Sequence, residues 1–123
     1  MMAYSDVFTT VYSTMVVEAA VHDCPVVSVC IDSPVGWPGK YTLPLSQIGD
    51  WPTHSRFRDS GAGLEVINEN QLRTALNFYL ENPEAGKDAR HYFIERECTF
   101  TDGSAGDRTA HFVLSKLGTP HGK

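Results

Sequence analysis

Residues 6–31 read DVFTTVYSTMVVEAAVHDCPVVSVCI and contain a clear pattern of secondary structure. Its first part, residues 6–11, is rich in Val, Phe and Thr, which favours a short strand. The apolar run of small residues at 15–21 is typical of a helix that packs on a sheet. Pro25 lies just beyond this helix, and the β-branched run 25–31 is typical of a parallel strand buried on both faces. The stretch therefore predicts a strand, a helix and a second, parallel strand.

The rest of the chain extends this pattern through a long loop, a third strand and further helices. Residues 32–52 are rich in Pro and Gly and are predicted to form the loop, with Trp37, Tyr41 and Trp51 in it. These aromatic side chains could line a sugar subsite, or pack on the core or on a partner. The remaining predicted elements are a short helix over 54–60, a strand over 64–67, a helix over 69–80 with Asn68 as its N-cap, a helix from Pro83 through Arg96, and a last helix over 108–117.

This element order predicts an α/β fold of the three-layer, half-Rossmann type. The parallel sheet is expected to have about three to four strands, with helices on both faces. At 123 residues the chain fits one domain. We expect that single domain to span residues 1–117, followed by a disordered tail at 118–123.

Composition excludes several classes of function. The chain has 15 acidic and 10 basic residues and a formal charge of −5, whereas a nucleic-acid-binding surface needs clustered Lys and Arg. We therefore expect no nucleic-acid partner. The sequence shows neither an export signal nor a run of about 18 apolar residues, so it predicts no membrane span and a cytoplasmic location.

The cysteines and histidines do not predict a metal site. Cys24, Cys30 and Cys98 are odd in number and form no C-x-x-C pair, which favours reduced, buried thiols. The five histidines show no H-x-x-x-H spacing. The sequence thus predicts neither a metal nor another cofactor.

The most informative polar residues are Ser13, Thr14 and Glu18, where the first strand turns into the first helix. The amides of a first helical turn have no partner within the helix, and the helix dipole adds positive potential, so a diphosphate could bind at Ser13 and Thr14. Glu18 lies about one turn further on, where a carboxylate could accept hydrogen bonds from ribose hydroxyls. In the alternative interpretation Ser13 only caps the helix and Glu18 is solvated.

Three segments resemble glycosyltransferases of the GT-B fold. Residues 13–20, STMVVEAA, followed by PVV at 25–27, resemble the S-x-x-x-x-E-A…P-V-[IV] stretch of these enzymes and of UDP-sugar 2-epimerases. Residues 53–72 are similar to the family's short helix, glycine, strand and helix start. FTDGSAGDR at 100–108 is similar to the D-G-x-A-x-x-R element of transferases that polymerise capsule or teichoic-type surface glycans.

The resemblance implies the C-terminal half of such an enzyme, which binds the nucleotide sugar. It implies diphosphate binding by Ser13 and Thr14, and ribose binding by Glu18. Further donor contacts would come from two other segments, where a surface helix, a helix cap or an ion pair is the alternative interpretation. Those residues are His54, Arg56, Asp102, Ser104 and Arg108.

The same resemblance limits what the chain is expected to do alone. GT-B enzymes are two to three times longer, and their general base lies on an N-terminal domain. The first hypothesis is therefore a nucleotide-diphosphate-sugar binding domain, inactive without an N-terminal half, and whether the chain alone is an enzyme stays open. Its partner would be a nucleotide-activated sugar or polyol. The alternative hypothesis is a non-catalytic, truncated Rossmann-like module that dimerises or docks on a partner, because a small sheet leaves exposed edges.

Overall fold

A computed structural model describes residues 2–36 and 43–118 of the chain. A 3₁₀ turn at Met2–Tyr4 comes first. The elements that follow are β1 (Phe8–Thr10), α1 (Met15–Val21), β2 (Val26–Val29), α2 (Leu45–Gly49), α3 (Pro52–Ser60), β3 (Gly63–Val66), α4 (Glu69–Glu81), α5 (Lys87–Glu97) and α6 (Ala105–Leu117).

The three strands form one parallel sheet in the order β1-β2-β3. Phe8 pairs with Val26, and Val26 pairs with Gly63, so the three amino ends are level. The carboxyl ends of all three strands consequently meet at one edge of the sheet, which we call the carboxyl edge. This is the parallel α/β architecture that the sequence predicts.

Helices cover both faces of the sheet, as predicted. Val26 faces one side and belongs to a core formed with buried residues of α1, α3 and α5. Val27 points the other way and packs with Val66 of β3 and with Ala75 and Tyr79 of α4. The alternation follows from the two-residue period of a strand. Both valines are fully buried, as the β-branched run indicated.

Several element boundaries differ from the predicted ones. The short helix α2 lies inside the predicted loop. Helix α5 begins at Lys87 rather than at Pro83, because residues 83–86 form a turn that ends at Gly86 with a positive φ of 75°. Helix α6 begins three residues earlier than predicted. Trp37, Tyr41 and the predicted tail after Gly118 lie outside the described residues, whereas Trp51 is half-exposed at the start of α3.

A buried ion pair joins α5 to the short segment between α1 and β2. The Arg90 side chain is fully buried, and its Nε donates to Asp23 Oδ1 at 2.7 Å. Its Nη1 donates to the carbonyl of Ala85 at 2.7 Å. Lys87 adds a second cation, 3.3 Å from Asp23 Oδ2. Because Asp23 lies between α1 and β2, the pair joins two elements that are 67 residues apart.

The last helix differs from the others because none of its residues is buried. The sequence predicts an apolar stripe along α6, and Leu114 and Leu117 of that stripe are 65% and 77% exposed. Two of the three cysteines, Cys24 and Cys30, are buried free thiols as predicted, whereas Cys98 is partly exposed.

Candidate functional site

The turn between β1 and α1 lies at the carboxyl edge and carries the two predicted phosphate ligands. Ser13 Oγ accepts a hydrogen bond from the amide of Met15 at 3.2 Å, so this side chain does support the helix start. Thr14 is exposed and is the N-cap residue of α1, but its side chain makes no capping hydrogen bond. The turn therefore presents two hydroxyl groups beside the first helical turn, and either can donate to a ligand oxygen.

Glu18 follows Thr14 by four residues. Residues at this spacing share a face of a helix, so the carboxylate lies one turn along α1 from the Thr14 hydroxyl. Glu18 is exposed and lies in the first turn of α1. The two side chains thus border the same patch of surface.

A second group of polar side chains joins this turn to α3 and β3. The Tyr12 hydroxyl donates to Glu65 Oε2 at 3.2 Å, although the residues are 53 positions apart. The rings of Tyr12 and His54 lie 4.8 Å apart. Arg58 approaches Glu65 at 4.0 Å. We call Tyr12, Cys30, His54, Arg58 and Glu65 the carboxyl-edge cluster.

Burial further favours the protonated forms of the two weak acids of this cluster. Burial is the largest cause that raises the pKa of Tyr12, and the neighbouring Cys30 and Glu65 raise it further. Burial also raises the pKa of the Cys30 thiol to about 11. Tyr12 and Cys30 are therefore neutral near pH 7, and Tyr12 acts as a hydrogen-bond donor to the Glu65 carboxylate.

The cluster has an excess of negative charge around its one guanidinium. Arg58 lies 3.2 Å from both Asp50 and Asp59, in addition to its approach to Glu65. Its Nη1 also donates to the carbonyl of Gly49 at 3.4 Å. Because carboxylates accept hydrogen bonds and repel anions, this part of the carboxyl edge suits hydroxyl groups better than phosphates.

The other predicted donor contacts are engaged elsewhere. Arg56 reaches α5, where its Nη2 lies 3.4 Å from Glu97 Oε2. Asp102 accepts hydrogen bonds from Arg108 at 2.9 Å and from the amide of Ser104 at 3.0 Å, so these three residues form a local group before α6. Among the described residues, the hydrogen bonds, ion pair and ring contact of this group stay within residues 100–108 and do not reach the carboxyl-edge cluster. Of the five further donor contacts predicted, only His54 lies in the cluster.

The sequence pattern does not mark Tyr12, Cys30 or Glu65 as members of a site. A usable signal was present for Glu65, because it is the only charged residue in the short strand GLEV, and a charge in a strand next to α3 requires a partner. The hydrogen bond from Tyr12 to Glu65 could not be predicted from the sequence, because the position of the Tyr12 hydroxyl depends on the close approach of Gly49. A side chain at Gly49 would overlap the Tyr12 hydroxyl.

His54 should titrate below its ordinary pKa of 6.5, because burial disfavours the imidazolium. A base with a lowered folded-state pKa contributes stability above about pH 6.5, and that contribution is lost as the pH falls through the folded-state pKa. We expect NMR titration of the His54 ring to give a lower pKa than the same ring in the urea-unfolded chain. Changing Tyr12→Ala should move the value back towards 6.5. Equal values in the folded and unfolded chains would contradict the burial of His54.

The described residues contain neither a membrane-spanning helix nor a group of metal ligands. Among residues 2–36 and 43–118, no helix has the length and apolar character needed to cross a membrane. In the same ranges, no three His, Cys, Asp or Glu side chains are grouped so that they could hold a metal ion.

Comparison with known proteins gave no match: none of the protein-family models, curated proteins or solved structures searched is significantly similar to this chain.

Proposed function

We propose that the carboxyl edge binds the nucleotide diphosphate of an activated sugar or polyol, with the diphosphate on Ser13 and Thr14 and the ribose on Glu18. The observation that carries the proposal is the position of the β1–α1 turn. It places two hydroxyl groups and a carboxylate at the carboxyl end of a parallel strand, and ligands of open α/β sheets bind at that end.

The charges at the carboxyl edge suggest how such a ligand would be oriented. Phosphate oxygens would accept hydrogen bonds from Ser13 and Thr14, next to the positive end of α1. Sugar hydroxyls would lie over the carboxyl-edge cluster, where the Glu65 carboxylate can accept hydrogen bonds from them. The acidic neighbours of Arg58 would keep the diphosphate away from the cluster.

The reaction proposed for this site is glycosyl or glycerophosphoryl transfer. In glycosyl transfer the bond from the sugar to the diphosphate breaks and a nucleoside diphosphate leaves, whereas in glycerophosphoryl transfer the P–O–P bond breaks and a nucleoside monophosphate leaves. Negative charge grows on phosphate oxygens of the leaving group in both reactions, so hydroxyl groups that donate to those oxygens would stabilise the transition state. The resemblance to GT-B enzymes assigns the general base to an N-terminal domain. We therefore propose that this chain supplies donor binding and that transfer requires a second domain.

Calorimetric titration with UDP, CDP, GDP and ADP tests the proposal. We expect micromolar binding of one nucleotide, and we expect Thr14→Val and Glu18→Gln each to weaken it by about tenfold or more, which corresponds to about 1.4 kcal/mol. Glu81→Gln is the matched control, because Glu81 is an exposed carboxylate at the end of α4. Absence of binding by all four nucleotides, or equal binding by the Glu18 and Glu81 variants, would refute this assignment.

One observation favours the second candidate, a module that dimerises or docks on a partner. Helix α6 has the composition of a packed helix but has no buried residue. Large apolar side chains that are exposed together on one element mark interaction surfaces. The two candidates can be tested by separate variants, because α6 and the β1–α1 turn carry different residues.

A further inference from the structure

Helix α6 carries an apolar stripe that stays exposed, because no residue of this helix is buried. Ala110, Val113, Leu114 and Leu117 follow the i, i+3, i+4, i+7 spacing that places side chains on one face. All four are exposed. Helices that bind in a groove of another protein present their anchors at this spacing. The stripe is therefore suited to a groove of matching length.

The same chain has an apolar groove beside the ends of α1 and α5. It has a volume of about 400 Å³. Its apolar wall includes Val21 of α1, Ile94 of α5 and Phe100 of the loop before α6. Val21 is 55% exposed, although α1 buries Val16, Ala19 and Ala20 in the core. The residues that line the groove include none from α6, so the helix does not fill the groove of its own chain.

The charges beside the two surfaces are complementary. Glu95 is exposed and borders the groove. Lys116 lies in the last turn of α6, next to Leu117 of the stripe. Opposite charges at the rim of an interface favour one orientation and accelerate association. A helix lying in the groove with Lys116 near Glu95 would combine both features.

We propose that two copies of this chain form a symmetric dimer in which α6 of each copy lies in the α1–α5 groove of the other. A two-fold axis makes the same pair of surfaces meet twice, so both stripes and both grooves are covered in one step. The reciprocal arrangement also increases the area that the dimer buries. A helix of 13 residues is about 20 Å long, so a single contact of this kind is small, and a two-fold pair of such contacts doubles the buried area.

Sedimentation of the full chain over a range of concentrations, without nucleotide, tests the proposal. We expect the wild type to be a dimer. Leu114→Glu should weaken the dimer by at least tenfold, because it places a charge in the stripe. Ser115→Glu introduces the same side chain at the next position, on the opposite side of α6, and should leave the dimer intact.

A groove variant separates this arrangement from direct pairing of two α6 helices. Val21→Glu should also weaken the dimer by at least tenfold, although it lies on α1, far from α6 in sequence. Lys116→Glu and Glu95→Lys should each weaken the dimer, and combining them should restore it. Circular dichroism confirms that each variant is folded. A monomeric wild type at every concentration, or a Val21→Glu dimer as tight as that of the wild type, overturns the proposal.

Discussion

Asp23→Asn is expected to lower the free energy of unfolding by about 3 kcal/mol, because it removes the charge partner of a buried guanidinium. Arg90 has no exposed surface, and its Nη2 already lacks a hydrogen-bond partner among the described residues. Asn keeps the shape of Asp and tolerates the positive φ of 54° at this position. The loss is placed at the lower end of the range for broken buried pairs because Asp23 is 29% exposed and water can reach it. Urea unfolding monitored by circular dichroism measures the change.

Glu84→Gln is the matched control for this variant. Glu84 and Asp23 both contact Lys87, but the Glu84 side chain is 75% exposed. Removing an exposed ion pair costs about 1 kcal/mol at most. A loss of equal size in the two variants would show that the Asp23–Arg90 pair does not stabilise the fold.

The Asp23 pair also predicts a dependence on pH. Burial alone would raise the pKa of Asp23, but hydrogen bonds and charge from Arg90 and Lys87 lower it overall. A carboxylate with a lowered folded-state pKa contributes its stability above its ordinary value of 3.8, and that stability is lost as the pH falls through the folded-state pKa. The difference in stability between the wild type and Asp23→Asn should therefore shrink in acid below pH 3.8.

Gly63→Ala is expected to cost about 3 kcal/mol through overpacking at the start of β3. A methyl group there would lie 2.6 Å from Phe57 Cζ and 2.8 Å from the carbonyl oxygen of Val26. The Phe57 ring can move, but the Val26 carbonyl belongs to the central strand β2 and cannot move without disturbing the sheet. Thermal and urea unfolding measure the loss.

A second Gly→Ala change supplies the control. Gly106 lies in α6 with no atom within 4 Å of the added methyl group, and Ala is the better helix former, so Gly106→Ala should stabilise α6. Gly63→Ala should cost less in a Phe57→Leu background than in the wild type, but it should still cost stability there, because the contact with the Val26 carbonyl persists. No cost in that background would show that the ring alone causes the strain.

The parallel sheet could be predicted from residues 6–31 because its determinants are local. The run from Pro25 to Ile31 is apolar and β-branched, which is typical of a strand covered on both faces. The helix α4 was equally clear, since Asn68 accepts a hydrogen bond from the amide of Gln71 as an N-cap should. Patterns of this kind depend on neighbours within a few residues.

The arrangement of side chains at the carboxyl edge depends on distant residues and was only partly predictable. Ser13 and Thr14 could be placed there because they follow a strand directly. The contact of Tyr12 with Glu65 joins residues 53 positions apart, because the turn after β1 lies close to strand β3 in the folded chain. The exposure of α6 could not be anticipated either, because its stripe has the spacing of a buried helix.

The order of the strands bears on how the chain reaches its folded state. Each strand pairs only with strands next to it along the chain, so β1 pairs with β2 and β2 with β3. The two pairings span 18 residues (Phe8 to Val26) and 37 residues (Val26 to Gly63). A pairing between strands that are close along the chain costs less loop-closure entropy than one between distant strands, and it favours fast folding. During synthesis, the first pairing needs nothing beyond β2, so sheet formation can begin before most of the helices have been made.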